Sequence, residues 1–337
     1  MSRYNEDSRD IVFLRTLFRL FTHTQMMPIL ESGEETLVGG QAVMEGVMMR
    51  APHSYCVAVR KPNGEIVTDE MPLPRMSEKY AIFRLPVLRG IGTLGQAMSL
   101  GFKALRFSAN AAMDDGTQPK ERPKEISNWA LTLNLVFSLG FFIVLYKFVP
   151  LYLVTKLAHS YELFRGHILF NVVDGLIRLL IFLAFLFAVS RMRDIRRVFE
   201  YHGAEHKVVF NFESGKPITV PNAQTFTTFH PRCGTSFLLV VMVVSMVVYT
   251  LIPFDGFVGK FLARIALLPV VAGVSYELIR FAAKRRGSFL ATLTAPGLWL
   301  QRITTKPPAD DQTAVAIHAL EGAMALEKNQ GGELVIA

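Results

Sequence analysis

Cysteine is almost missing from this chain. Cys56 and Cys233 are the only two among 337 residues, too few for a disulfide framework and set in dissimilar segments. Charge is scarce as well. Charged residues make up 19% of the sequence, against roughly 25% in a typical soluble protein, and the deficit is concentrated in a few long apolar runs. The sequence has no Gly-rich Walker loop and no G-x-S-x-G elbow, which removes phosphate-loop and nucleophile-elbow chemistry from consideration. Met1 to Asp10 is polar and lacks a signal-peptide hydrophobic region. The moderately apolar stretch Ile11 to Leu20 is interrupted by Arg15 and Arg19, so it reads as an amphipathic or packed helix, not a membrane span. No motif interleaves aromatic and basic residues. The net charge of +8 is therefore assigned to membrane topology, and no nucleic-acid partner is expected.

Apolar residues fill the space that charge leaves. They make up 51% of the chain, and the mean hydropathy is +0.31. Four runs stand out: Trp129 to Val149, His167 to Ser190, Ser236 to Pro253, and Phe257 to Phe281. The fourth carries Lys260, Arg264, Glu277 and Arg280, and only its centre, Ile265 to Ser275, is uncharged. Its ends must snorkel or face protein. The expected fold is a mainly α-helical polytopic membrane protein, with about four transmembrane helices and a small N-terminal α/β cytoplasmic region. Basic residues set its orientation. Lys120, Arg122 and Lys124 precede the first run; Arg191, Arg193, Arg196 and Arg197 follow the second; Arg280, Lys284, Arg285 and Arg286 end the fourth. By the positive-inside rule both termini and the central loop lie in the cytoplasm, and the protein sits in the inner (cytoplasmic) membrane with the lipid bilayer as its partner. Both cysteines then stay as thiols or metal ligands.

Seven segments follow from these patterns. Residues 1–36 form an N-terminal helical segment. Residues 37–113 form a soluble or interfacial region. It holds a β-hairpin about Pro62-Asn63-Gly64 and one or two helices in which Gly90, Gly92, Gly95 and Gly101 permit close packing. Residues 114–127 are a linker, and 128–190 carry transmembrane helices 1 and 2. Residues 191–235 are a cytoplasmic loop, 236–286 carry helices 3 and 4, and 287–337 form a cytoplasmic interfacial segment. That last segment includes an amphipathic docking helix over Ala314 to Glu327.

The chemistry-bearing residues gather in the central loop. In Glu200-Tyr-His-Gly-Ala-Glu-His-Lys207, helical geometry puts His202 and His206 one turn apart on one face, as two imidazoles on one metal require. Glu205 stands beside them as a ligand or as a base for water. The H-x-x-E-H spacing is also that of inverzincin peptidases. A second cluster, Phe229-His-Pro-Arg-Cys-Gly-Thr235, offers His230 and Cys233 with knuckle-like spacing. Metal ligands are therefore expected at His202, His206, His230 and Cys233, with Glu205 catalytic and zinc or another divalent ion as cofactor. Four protein ligands would make a closed structural site; three plus Glu205 as base would make a catalytic one. Asp174 and Arg178 are spaced as an ion pair on one helix face, a structural pair or part of a transport or substrate path. Glu277 with Arg280 has similar standing. Glu45 is a fourth ligand, a second-shell partner or a turn cap.

The motifs GGQAVMEGVMMR, EYHGAEHK, FHPRCGTSF, LPVVAGVSYELIR and APGLWLQRITTKPP resemble those of the YqhQ-like bacterial membrane proteins, domain of unknown function 1385. The resemblance runs from about Leu37 to Leu326. It implies a metal-dependent enzyme and supplies no substrate. The leading expectation is a membrane-embedded metal-dependent enzyme, a hydrolase, with its site at the cytoplasmic interface. The alternative is a non-enzymatic scaffold or transporter in which the metal is structural.

Overall fold

The computed structural model describes residues 38–73, 80–114, 128–231, 233–254, 256–284 and 295–329. The helix expected within 1–36, most of the 114–127 linker, and Arg285 and Arg286 lie outside the described residues.

Four short strands form an antiparallel meander: β1 (Gly39–Val43), β2 (Gly46–Arg50), β3 (Ser54–Arg60) and β4 (Ile66–Pro72). β3 and β4 pair across Pro62-Asn63-Gly64, with Arg60 opposite Ile66. Gly64 takes φ +89° there, a conformation that costs glycine nothing and other residues more. Alternation gives the sheet two apolar faces. Val47, Met49, Cys56 and Ala58 pack on one side; Val43, Met48, Tyr55, Val57 and Val59 pack on the other.

Helices cover both faces. A single 26-residue helix, α1 (Leu88–Met113), lays Leu100, Ala104 and Ala111 on the second face. α5 (Arg193–Glu213) and the C-terminal α11 (Asp310–Asn329) cover the first with Tyr201, Ala204, Val208, Val315, Ala319, Leu320 and Ala323. Small residues on α11 let it sit close: a Cβ at Gly322 would lie 2.7 Å from Cys56 Sγ. The Ala314 to Glu327 stretch docks through this face. Its Glu327 accepts hydrogen bonds from the His53 backbone N–H at 2.9 Å and from Ser54 Oγ at 2.8 Å.

The apolar runs form the rest. α2 (Asn128–Ile143) continues through a π turn, Val144–Phe148, into α3 (Val149–Ser160). Pro150, lacking an N–H, explains the irregular turn before it. α4 (His167–Val189), the short α6 (Val220–Gln224) after α5, α7 (Gly234–Thr250) and the pair α8 (Phe257–Ala266) and α9 (Leu268–Lys284) follow, with α10 (Ala295–Thr304) ahead of α11. Among the described residues two helices are long and apolar enough to cross a membrane, Val136–Ser160 and His167–Val189. The expectation of about four spans holds only in the coarser form of two to three. The third run makes a helix of 17 residues, and the fourth is bent by 50° between α8 and α9. Exposed Phe137, Phe141, Leu153, Leu176, Leu180, Val243 and Val247 leave the outer faces of these helices apolar. That surface is compatible with a membrane protein.

Contacts lock the two layers together. A Cβ at Gly90 would meet the Tyr276 side chain at 2.8 Å, and one at Gly297 would meet Ser236 Oγ at 2.2 Å. Glu277 pairs with Arg89 of α1, so its partner comes from 188 residues away and not from Arg280 one turn along.

Candidate metal centre

α5 is helical from Arg193 to Glu213, so His202 and His206 project from adjacent turns of one face. Their rings lie 4.4 Å apart. The chain enters α7 at Cys233, its N-cap, and this brings the Sγ within 3.3 Å of His202 Nε2. One ligand atom each from His202, His206 and Cys233 lies within 4.8 Å of the others.

Backbone carbonyls hold the two histidines in register. His202 Nδ1 lies 2.9 Å from the Thr304 carbonyl oxygen, and His206 Nδ1 lies 2.5 Å from that of Thr228. A carbonyl only accepts, so each Nδ1 carries the proton. In the neutral tautomer each Nε2 then faces the shared space, the arrangement by which metal-binding histidines are usually oriented. Glu205 faces the same point. Its Oε2 is 3.9 Å from His202 Nε2 and 3.6 Å from His206 Nε2. Thr235 Oγ1 donates to Cys233 Sγ at 3.3 Å.

The packing is tight. Glu205 and His206 are buried. A Cβ at Gly40 of β1 would come 2.6 Å from Glu205 Cγ, and one at Gly203 would come 2.0 Å from the Lys306 carbonyl oxygen. Glycine is required at 203 because the Thr304–Lys306 backbone crosses α5 there, with the Lys306 N–H bonded to Phe199 O at 2.9 Å. Between α5, β1 and the start of α7 a cavity of about 130 Å³ remains, lined by Gly40, His202, Glu205, His206, His230 and Cys233 among others.

His230 lines this cavity but does not join the convergent set. Its Nε2 lies 3.5 Å from Glu213 Oε2, and its ring packs 4.5 Å from that of Phe210. Gln301 of α10 clamps its backbone, accepting from the N–H at 2.7 Å and donating to the carbonyl at 2.8 Å. Burial pushes its pKa down to about 4, so the imidazole is neutral at pH 7. Glu45 stands apart altogether. It takes φ 52° in the β1–β2 turn, pairs with Arg197, and lies 3.4 Å from Tyr201 Oη. Cys56 is buried in the sheet; burial, then Glu70 and Asp69, push its thiol up to about 12.

Thr228, Gln301, Thr304 and Gly40 were not among the residues singled out as site residues in the sequence. Two of them act through backbone carbonyls, which leave no side-chain signature. Gln301 and Thr304 fall in the APGLWLQRITTKPP stretch, whose only signal was its membership of a long motif.

Residues 85–326 match the family described as "Protein of unknown function (DUF1385)". The chain is 36% identical over 297 residues to the "Uncharacterized protein YqhQ" of Bacillus subtilis (strain 168), covering 86% of this chain and 92% of that protein. No solved structure matches it. By this extent of match the chain belongs to the DUF1385 family.

Proposed function

We propose that this family member is a membrane-embedded hydrolase that holds a divalent ion of the zinc class on His202, His206 and Cys233. One observation carries the reading: three ligand atoms of zinc-binding type converge while backbone carbonyls fix both imidazole tautomers. Tetrahedral zinc with bonds of about 2.0–2.1 Å to nitrogen and 2.3 Å to sulfur needs ligand atoms roughly 3.3–3.6 Å apart. The 3.3 Å between Cys233 Sγ and His202 Nε2 lies a few tenths of an ångström inside the roughly 3.6 Å of an N–S pair. A bound ion would supply Lewis acidity and a lowered water pKa. Three protein ligands with one position left over is the pattern of catalytic sites, whereas a fourth ligand would close the site. His230, turned to Glu213, favours the open form.

Within that reading the chain's own groups divide the work. Glu205 takes the proton of the attacking water, since its carboxylate faces both Nε2 atoms across the cavity. The Thr228 and Thr304 carbonyls keep the lone pairs aimed. Gly40 gives Glu205 room against β1. The site stands at the start of an apolar helix, so the substrate approaches at the membrane edge. The basic residues Arg191 and Arg193 favour a cytoplasmic face for it. Reporter fusions after Arg197 and near Ser160 test this, with cytoplasmic and exterior signals expected in turn.

The decisive test is metal content of purified protein beside the His202→Ala, His206→Ala double variant. About one equivalent in the wild type and none in the variant is expected; equal content in both removes the reading. Glu205→Gln then separates roles. Retained metal with failed complementation of a deletion strain supports the base, for which a rate loss of roughly 10²–10⁴ is expected. Full complementation with metal retained leaves the ion structural and the protein a scaffold.

A further inference from the structure

A second polar cluster lies inside the apolar helices, away from the cavity. Asp174 and Arg178 sit one turn apart on α4 and form an ion pair. Arg264 of α8 donates to Asp174 Oδ1 at 2.7 Å and to Asn171 Oδ1 at 2.9 Å. Lys147, presented by the π turn between α2 and α3, donates to Tyr249 Oη at 2.7 Å. The Tyr249 ring lies within 5.0–5.2 Å of all three cations. Gly175 makes this possible, because a Cβ there would strike Met246 at 2.2 Å; the close approach lets Ser245 accept from Arg178 at 2.6 Å.

The cluster does not balance its charge. Lys147, Arg178, Arg264 and Asp174 are exposed by only 9%, 4%, 1% and 1%. Among the described residues Asp174 is the one carboxylate paired with Arg178 and Arg264, and Lys147 has no ion-pair partner. The arginines and Asp174 alone leave one positive charge in excess, and a protonated Lys147 adds a second. Arginine does not lose its proton in proteins, and an uncompensated buried ion costs several kcal/mol. The buried Nε of Arg178 and that of Arg264 also have no acceptor among the described residues. A single small anion would meet both demands. It would accept from Nε–H and ammonium donors and cancel one charge. π turns are themselves frequent at functional positions.

We propose that Lys147, Arg178 and Arg264 form an intramembrane binding site for a small monovalent inorganic anion of the halide type. The site lies well away from the candidate metal centre. Ser245 is 11 residues past Gly234 on α7, or about 16 Å of helix.

Chloride is the probe. The full-length protein in detergent is moved from gluconate, too large for the cluster, into chloride at constant ionic strength. Retention of radioactive chloride and the thermal midpoint are measured together. The same assay is run on the His202→Ala, His206→Ala double variant, so that chloride held by a metal is not counted. Saturable uptake of about one chloride per chain in both proteins is expected, with a midpoint rising several degrees. In Lys147→Met, which keeps the apolar stem and removes one charge, chloride affinity falls at least tenfold. No chloride retained, or uptake lost in the histidine double variant, overturns the proposal even if Lys147→Met does not fold. Unchanged affinity in a folded Lys147→Met also overturns it; the excess charge would then be relieved by loss of the lysine proton.

Discussion

Two polar clusters interrupt an otherwise apolar molecule, and they are built on opposite plans. Around His202, His206 and Cys233 the outward-facing atoms are satisfied by backbone carbonyls and a threonine hydroxyl, so the inward atoms point into a cavity. Around Asp174 the charged atoms are held by one another and by Tyr249. The first plan holds ring nitrogens and a sulfur facing a cavity. The second binds helices together at the cost of unbalanced charge. Neutral imidazoles cost little to bury when one nitrogen is hydrogen-bonded, whereas ions remain tolerable only while every partner is present.

That difference predicts which cluster fails harder. Asp174→Asn leaves Arg178 and Arg264 facing each other without their shared carboxylate. A loss of about 3–5 kcal/mol is expected, read as a collapse in folded yield and thermal midpoint in detergent. Gly203→Ala attacks the other plan by pushing a methyl group onto the Lys306 carbonyl. About 1–3 kcal/mol of overpacking is expected. The Thr304 carbonyl should also shift, lowering metal affinity on the order of 10–100-fold, as for other lost orienting partners. If Gly203→Ala proves the more damaging to folding, the comparison is wrong.

Glu327 offers a milder reference outside both clusters. Its burial would raise the carboxyl pKa, but hydrogen bonds from His53 and Ser54 hold it below the usual 4.5. A depressed value stabilises the fold above the unfolded pKa. The benefit is therefore full above about pH 4.5 and fades as pH falls through the lower folded value. Glu327→Gln should cost about 1.5 kcal/mol near neutrality, the low end of the range for hydrogen bonds to a charged group. The gap to wild type should close in unfolding curves taken at progressively lower pH below 4.5; a constant gap would contradict the assignment. The smallest effect concerns the two thiols. At pH 7.5 a maleimide should label partly exposed Cys233 and spare Cys56, whose thiol is buried and held near 12, and added Zn²⁺ should slow the labelling. Mass spectrometry of the labelled peptides checks both.

Much of this architecture is legible in the residues themselves. The four-residue step from His202 to His206, the Pro62-Asn63-Gly64 turn and the apolar run at His167 are local signals that local geometry honours. What was illegible is long-range. Nothing near Asp174 in sequence announces Arg264, which arrives 90 residues later, and Glu277 pairs with Arg89 although Arg280 is nearer in sequence. The span count was blurred for a similar reason. The fourth run carries Arg264 because that charge turns inward to a buried partner, and the helix bends beside it. His230, expected as a ligand from its spacing, lines the cavity with Gln301 on its backbone and Glu213 by its ring, and neither partner was visible in the sequence.

The Thr304 carbonyl that orients His202 lies 102 residues downstream. At a synthesis rate of 5–20 residues per second, the ribosome needs about 5–20 s to add that length. α7, α8 and α9 are all made in that interval. During it, His206 already has its Thr228 carbonyl, 22 residues downstream, while His202 lacks the acceptor that orients its ring. An ion captured early would be held loosely and exchange with its surroundings. If the site takes an ion as proposed, firm capture would wait until the segment after α10 closes over Gly203, by which time the apolar helices have been made.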